Sequence, residues 1–98
     1  MATQRIDILL AEDNEDDVVM IKRALEPEQN VPIRHVVWNG EKLLAYLQGL
    51  EPTKDASKSN LILLVDINMP KKDGLTAIQE IKRDPKFNHF PIVILTTS

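Results

Sequence analysis

Four short apolar segments, separated by stretches with helical periodicity, constrain the fold of this chain more than any other feature. The segments cover residues 6–10, 33–38, 61–65 and 92–95, and their length and β-branched content predict strands. The stretches between them predict helices, so strands and helices alternate along the chain. Such alternation indicates an α/β fold with a parallel sheet and right-handed crossovers.

Three amphipathic helices are predicted between the strands. The first spans residues 15–26, with Asn14 as its N-cap. The second follows Gly40, and the third ends near Asp84, just before a proline. The apolar residues at helical spacing are Val18, Ile21 and Leu25 in the first helix, Leu43, Leu44, Leu47 and Leu50 in the second, and Leu75, Ile78 and Ile81 in the third.

Composition narrows the class of protein. A chain of 98 residues, 43% hydrophobic and 28% charged, is typical of one small globular domain. The net charge of −3 and the scattered lysines and arginines give no reason to expect a nucleic acid or membrane partner. No cysteine and no long apolar run at the amino end are present, so we expect a cytoplasmic protein. Residues 51–60 lack apolar periodicity and are expected to form a surface loop.

Side chains with oxygen ligands follow three of the four predicted strands. Glu12 and Asp13 follow the first strand, Asp66 the third and Thr96 the fourth. Parallel strands end at the same edge of a sheet, so these residues are expected to lie together there. Carboxylates 4 Å apart repel by roughly 4 kcal/mol at an effective dielectric constant near 20, so the cluster calls for a proton or a cation. Oxygen ligands without histidine or cysteine favour Mg²⁺.

Asp66 is the best candidate for a nucleophile in this cluster. A carboxylate can accept a phosphoryl group to form an aspartyl phosphate, with a metal ion neutralising the incoming charge. Asp66 ends the apolar central strand as a single acid, whereas Glu12 and Asp13 form a pair suited to holding a metal.

Three stretches, in this order and at this spacing, carry a resemblance to a known family: ILLAEDN at residues 8–14, LLVDINMP at residues 63–70 with Asp73-Gly74 behind it, and PIVILT at residues 91–96. The sequence resembles a CheY-like response-regulator receiver domain over its whole length. The resemblance implies a flavodoxin-like, doubly wound parallel sheet with strand order 2-1-3-4.

Residue roles also follow from the resemblance. It implies that Asp66 is the phosphoacceptor, that Glu12, Asp13 and Asp66 hold Mg²⁺ together with the backbone carbonyl of Asn68, and that Thr96 senses the phosphoryl group. The implied partner is a sensor histidine kinase in a two-component phosphorelay. The sequence is similar to the single-domain regulators paired with bacterial phytochromes. Such a chain is a signalling module rather than a conventional enzyme.

The sequence departs from the family pattern after Thr96. Receivers continue through a helix, a strand that ends in Lys-Pro and a further helix, and none of these is in the 98 residues. We therefore expect a single receiver domain over residues 1–98 that is incomplete at its carboxyl end. The exposed edge of the fourth strand is expected to pair with a second copy or with a complementing fragment.

Other interpretations of the same residues stay open. Glu12 and Asp13 could be acids that stabilise a helix amino end, and Asp66 could be a turn aspartate. The chain could also be a non-signalling fragment or a domain-swapped or chimeric building block with impaired phosphotransfer. A phosphohydrolase of the haloacid-dehalogenase kind is weaker, because Asn68 stands where its acid-base aspartate would be. The aromatic residues Trp38, Phe87 and Phe90 are expected to be buried packing residues.

Overall fold

The computed structural model describes residues 6–28, 31–50, 61–67, 69 and 72–95. Its strands and helices alternate in the predicted order. The predicted surface loop at residues 51–60 lies outside the described residues. The elements are β1 (Asp7–Ala11), α1 (Glu15–Leu25), β2 (Ile33–Val37), α2 (Gly40–Gln48), β3 (Leu61–Asp66), α3 (Gly74–Arg83) and β4 (Ile92–Leu95).

The four strands form one parallel sheet in the order β2-β1-β3-β4. The predicted fold class and strand order are thereby confirmed. Two strands extend further than predicted, because Ala11 pairs with Val37 and Asp66 pairs with Leu95. These additional pairs bring the acid at the end of β3 into the sheet itself.

Helices α2 and α3 cover one face of the sheet. The strand residues on that face include Leu9, Leu63 and Val65, all fully buried. They pack with buried residues of the two helices, including Leu43 and Ile81. Helix α1 lies over the opposite face, because the first crossover runs across the sheet in the direction opposite to the second.

Each helix begins at a side chain that caps its free backbone amides. The Oδ1 atom of Asn14 accepts hydrogen bonds from the Asp16 and Asp17 amides at 2.8 and 3.2 Å. Asn39 caps α2 and Asp73 caps α3 in the same way. The Thr76 amide, which donates to Asp73, lowers the pKa of that carboxyl. The capped amino ends of all three helices therefore lie at the edge of the sheet where the strands end.

The predicted packing of the aromatic residues holds in part. Phe87 and Phe90 belong to the core cluster and are buried, as expected. The prediction for Trp38 is wrong, since this residue follows the last residue of β2 and is 41% exposed. The backbone leaves the sheet at that point, so the sheet no longer buries the indole ring.

Candidate functional site

The acidic cluster lies where β1 and β3 end side by side. Glu12 and Asp13 follow β1 directly, and Asp66 is the last residue of β3. The two strands are neighbours in register, with Ala11 opposite Val65, so the residues that follow are neighbours as well. The predicted gathering of the three acids at one edge is confirmed.

Two of the three carboxyl groups are buried. Glu12 and Asp66 have exposed fractions of 0% and 1%, whereas Asp13 is exposed to solvent. The Glu12 backbone is held from β2, because its amide donates to the Val37 carbonyl at 3.0 Å. One side-chain oxygen of Glu12, Oε2, accepts a hydrogen bond from the Asn14 amide at 3.1 Å.

The second carboxyl oxygen of Glu12 lacks a hydrogen-bond donor among the described residues. Its Oε1 atom is buried and receives no hydrogen bond from any residue that the structure describes. An unsatisfied buried acceptor costs about 1 to 3 kcal/mol, and more when it is charged. Glu12 therefore needs either a proton or a cation at this atom.

The pKa of Glu12 also indicates that this carboxyl group favours a proton or a cation. Its pKa is raised from 4.5 to about 7, chiefly by burial and further by the neighbouring Asp66 and Asp17 carboxylates. The Asn14 amide opposes the shift by favouring the charged form. With no cation bound, Glu12 therefore keeps its proton to a higher pH than an ordinary glutamate does.

The geometry of the cluster fits a small divalent cation. One carboxyl oxygen from each of Glu12, Asp13 and Asp66 can be chosen so that all three lie within 4.8 Å of one another. Ligands on opposite sides of an octahedral Mg²⁺ ion lie about 4.2 Å apart, so small side-chain movements would suffice. The donor set contains oxygen alone, and the unsatisfied Oε1 of Glu12 would gain a partner. These three residues can hold a metal ion of the Mg²⁺ type.

Gly74, which the sequence indicated only as a turn residue, supports the segment after Asp66. Its amide donates to the Ile67 carbonyl at 3.3 Å. A Cβ at this position would lie 2.9 Å from the Asp66 carbonyl carbon and 2.8 Å from the Ile67 Cα, distances that real Cβ atoms do not adopt. Only glycine allows α3 to begin so close to the acid.

Two of the predicted site residues cannot be compared with the structure. Asn68, expected to ligate through its carbonyl, and Thr96, expected to sense the phosphoryl group, lie outside the described residues. Their described neighbours Ile67 and Leu95 are joined by a backbone hydrogen bond of 3.4 Å between the Ile67 amide and the Leu95 carbonyl. The ends of β3 and β4 therefore meet beside the acidic cluster.

Comparison with known proteins agrees with this architecture. Response regulator Rcp1 of Synechocystis sp. is 36% identical over 91 residues, which cover 93% of this chain and 61% of that protein. The crystal structure of the phosphorylated cyanobacterial phytochrome response regulator RcpA is similar to this chain, with a TM-score of 0.78 and 37% sequence identity. The match covers 96% of this chain and 66% of that one. The crystal structure of the Mn(2+)-bound form of response regulator Rcp1 has 30% sequence identity and a TM-score of 0.78. The match covers 95% of this chain and 66% of that one.

The chain thus spans less than two thirds of the length of these relatives. The response regulator receiver domain family matches residues 8–98, a range that includes every strand after the first residue of β1 and all three helices. With the parallel 2-1-3-4 sheet and the acids at its carboxyl edge, the chain belongs to the response regulator receiver domain family.

Proposed function

We propose that this chain receives a phosphoryl group on Asp66 in a two-component phosphorelay, with Mg²⁺ held by Glu12, Asp13, Asp66 and the backbone carbonyl of Asn68. The observation that carries the proposal is the meeting of three carboxyl groups, with oxygens within 4.8 Å of one another, at the ends of β1 and β3. One of those groups has a buried oxygen without a hydrogen-bond donor among the described residues.

The division of roles follows from the surroundings of each acid. Asp66 ends the strand β3, which lies between β1 and β4, and its backbone pairs with Leu95 of β4. Asp13 is exposed and free to follow an ion, and Glu12 presents the unsatisfied Oε1. We assign sensing of the phosphoryl group to Thr96 because the preceding residue, Leu95, pairs with Asp66 in the sheet.

The proposed phosphoryl transfer needs one nucleophile from this chain, the Asp66 carboxylate. A carboxylate oxygen of Asp66 attacks phosphorus, the P–N bond of a phosphohistidine breaks, and the imidazole leaves with the bonding electrons and takes up a proton from solvent. The product on this chain is an acyl phosphate, which water later hydrolyses. A bound Mg²⁺ ion would neutralise part of the charge that gathers as the phosphoryl group approaches three carboxyl groups. Asp66 is 1% exposed, so water has little access to the carboxylate before a donor binds.

We propose that this chain is cytoplasmic and that its phosphodonor is a sensor histidine kinase. The similarity to the phytochrome response regulator RcpA supports a kinase of the phytochrome type. None of the helices in the described ranges is long and apolar enough to cross a membrane.

We also propose that this chain pairs with a second copy along β4. This strand is at an edge of the described sheet, and its residues Val93 and Ile94 are 47% and 49% exposed.

Phosphorylation by a small-molecule donor tests the main proposal. Incubation with acetyl phosphate and MgCl₂, followed by intact-mass measurement, should add one phosphoryl group to the chain. The Asp66→Asn variant and an EDTA-treated sample should gain none, whereas Asp16→Asn, an exposed acid on α1, should behave as the unchanged chain. No mass gain in a protein that circular dichroism shows to be folded would instead support a non-signalling fragment.

A further inference from the structure

The turn between β2 and α2, residues 37–40, contributes no carboxylate but contacts both acid-bearing segments. On one side, the Val37 carbonyl accepts a hydrogen bond from the Glu12 amide at 3.0 Å. On the other side, the Gly40 amide donates to the Lys72 carbonyl in the β3–α3 loop at 2.9 Å. A single short turn therefore connects the segment that carries Glu12 with the loop that follows Asp66.

The contact between Gly40 and Lys72 is too close for any other residue at position 40. A Cβ on Gly40 would lie 2.9 Å from the Lys72 carbonyl carbon and 3.0 Å from the Lys72 Cβ, with the carbonyl oxygen closer still. The obstacle is mainly backbone, which cannot swing aside as the end of a side chain can. Gly40 also begins α2, where the Asn39 side chain caps the helix by accepting from the Lys42 amide at 2.9 Å. This cap fixes the turn to the amino end of α2.

The described residues of the β3–α3 loop are tied to their surroundings at several points. The loop is closed at its base by the hydrogen bond from the Gly74 amide to the Ile67 carbonyl, and Met69 is buried in the core. The Lys72 ammonium pairs with Glu80 of α3 at 2.6 Å. A push on Lys72 is consequently passed toward the loop base, where Gly74 lies against the Asp66 carbonyl.

We propose that Gly40 is a positioning residue of the acidic site: its contact with Lys72 fixes the described end of the β3–α3 loop, next to Gly74, and with it the separation between Asp66 and Glu12. This inference rests on the proposed function, since it concerns the same metal and phosphoryl site. A side chain at position 40 would displace the loop without removing any carboxyl group.

Exchange of Gly40 for alanine tests the proposal against a matched control on the same helix. Gly49 ends α2, and a Cβ there would meet its nearest atoms at an ordinary 3.5 Å. Isothermal titration calorimetry with MgCl₂ should show binding to Gly40→Ala weakened about 10- to 100-fold relative to Gly49→Ala, the usual effect of losing a group that orients metal ligands. Equal affinity of the two variants, both folded by circular dichroism, would overturn the proposal.

A second measurement on the unchanged chain covers the case in which Gly40→Ala does not fold. Because coupling between two sites is reciprocal, Mg²⁺ must strengthen the Gly40–Lys72 contact if that contact favours Mg²⁺ binding. Hydrogen exchange followed by NMR should therefore show that saturating MgCl₂ slows exchange of the Gly40 amide more than that of the Gly49 amide. Equal slowing of both amides would reject the coupling.

The proposed function and the positioning role of Gly40 can be rejected separately. If the unchanged chain neither binds Mg²⁺ nor gains a phosphoryl group, the proposed function fails and the role of Gly40 fails with it. If the unchanged chain does both and the Gly40 measurements show no effect, only the positioning role is rejected.

Discussion

Glu12 and Asp66 lie side by side at the ends of two adjacent strands, and both of their carboxyl groups are buried. Two like charges in that position would repel strongly, and the third acid, Asp13, lies within the same cluster. When no cation is present, burial raises the pKa of Glu12, and the neighbouring carboxylates raise it further, to about 7. We therefore expect the site to respond to both protons and divalent cations.

Stability in the absence of metal should fall as pH rises. The Glu12 pKa is about 7 in the folded chain against an ordinary value of 4.5, so the folded state binds more protons between those values. The contribution of Glu12 to the free energy of unfolding should therefore be largest below pH 4.5. It should fall by at most about 3 kcal/mol by pH 7. Urea denaturation in EDTA measures this slope, which Glu12→Gln should lack. Identical pH profiles for the two proteins would contradict the assignment.

Divalent cations should stabilise the folded chain. A ligand at 100 times its dissociation constant adds about 2.7 kcal/mol to the free energy of unfolding. Thermal denaturation at pH 7.5 or so should show a Tm that rises with MgCl₂ and returns to its starting value with EDTA. Asp13→Asn should abolish most of the rise, because it removes the exposed member of the cluster. Glu15→Gln, an exposed acid in the first turn of α1, should keep it; an equal loss in both variants would indicate general screening of negative charge instead.

Substitution of Gly74 by alanine should destabilise the protein. Helix propensity alone would make this change favourable by about 1 kcal/mol. The close approach to the Asp66 carbonyl and the Ile67 Cα reverses the sign, since overpacking of this kind typically costs about 1 to 3 kcal/mol. Urea denaturation should show the loss for Gly74→Ala but not for Gly49→Ala. A more stable Gly74→Ala protein would show that α3 can move away from Asp66 without cost.

Association through β4 should depend on its exposed apolar residues. Lysine on an edge strand opposes pairing with another strand, so Ile94→Lys should shift the chain toward monomer. Size-exclusion chromatography with light scattering, over a range of concentrations, reports the mass directly. Leu75→Lys on α3 is the control, because Leu75 is comparably exposed at 52% but lies outside the sheet. A monomer at every concentration in the unchanged chain would reject the pairing.

The periodicity of the sequence was sufficient to predict which segments form strands and which form helices, because each element carries its own pattern. Apolar runs such as residues 61–65 indicate buried strands, and helical spacing of apolar residues indicates the helices between them. The order of strands came from the resemblance to the receiver family. The inclusion of Ala11 and Asp66 in the strands was missed, because those residues join the sheet through pairing with Val37 and Leu95, which are distant in sequence.

By itself, then, the sequence determined the α/β alternation and the acids that gather at the sheet edge, since parallel strands carry their carboxyl ends to one side. Only the tertiary structure decided that Glu12 is buried with an unsatisfied oxygen and a raised pKa, because burial depends on what other segments cover. It also decided the exposure of Trp38 and the close approaches of Gly40 to Lys72 and of Gly74 to Asp66. Contacts of that kind join residues far apart in the chain, and no local pattern records them.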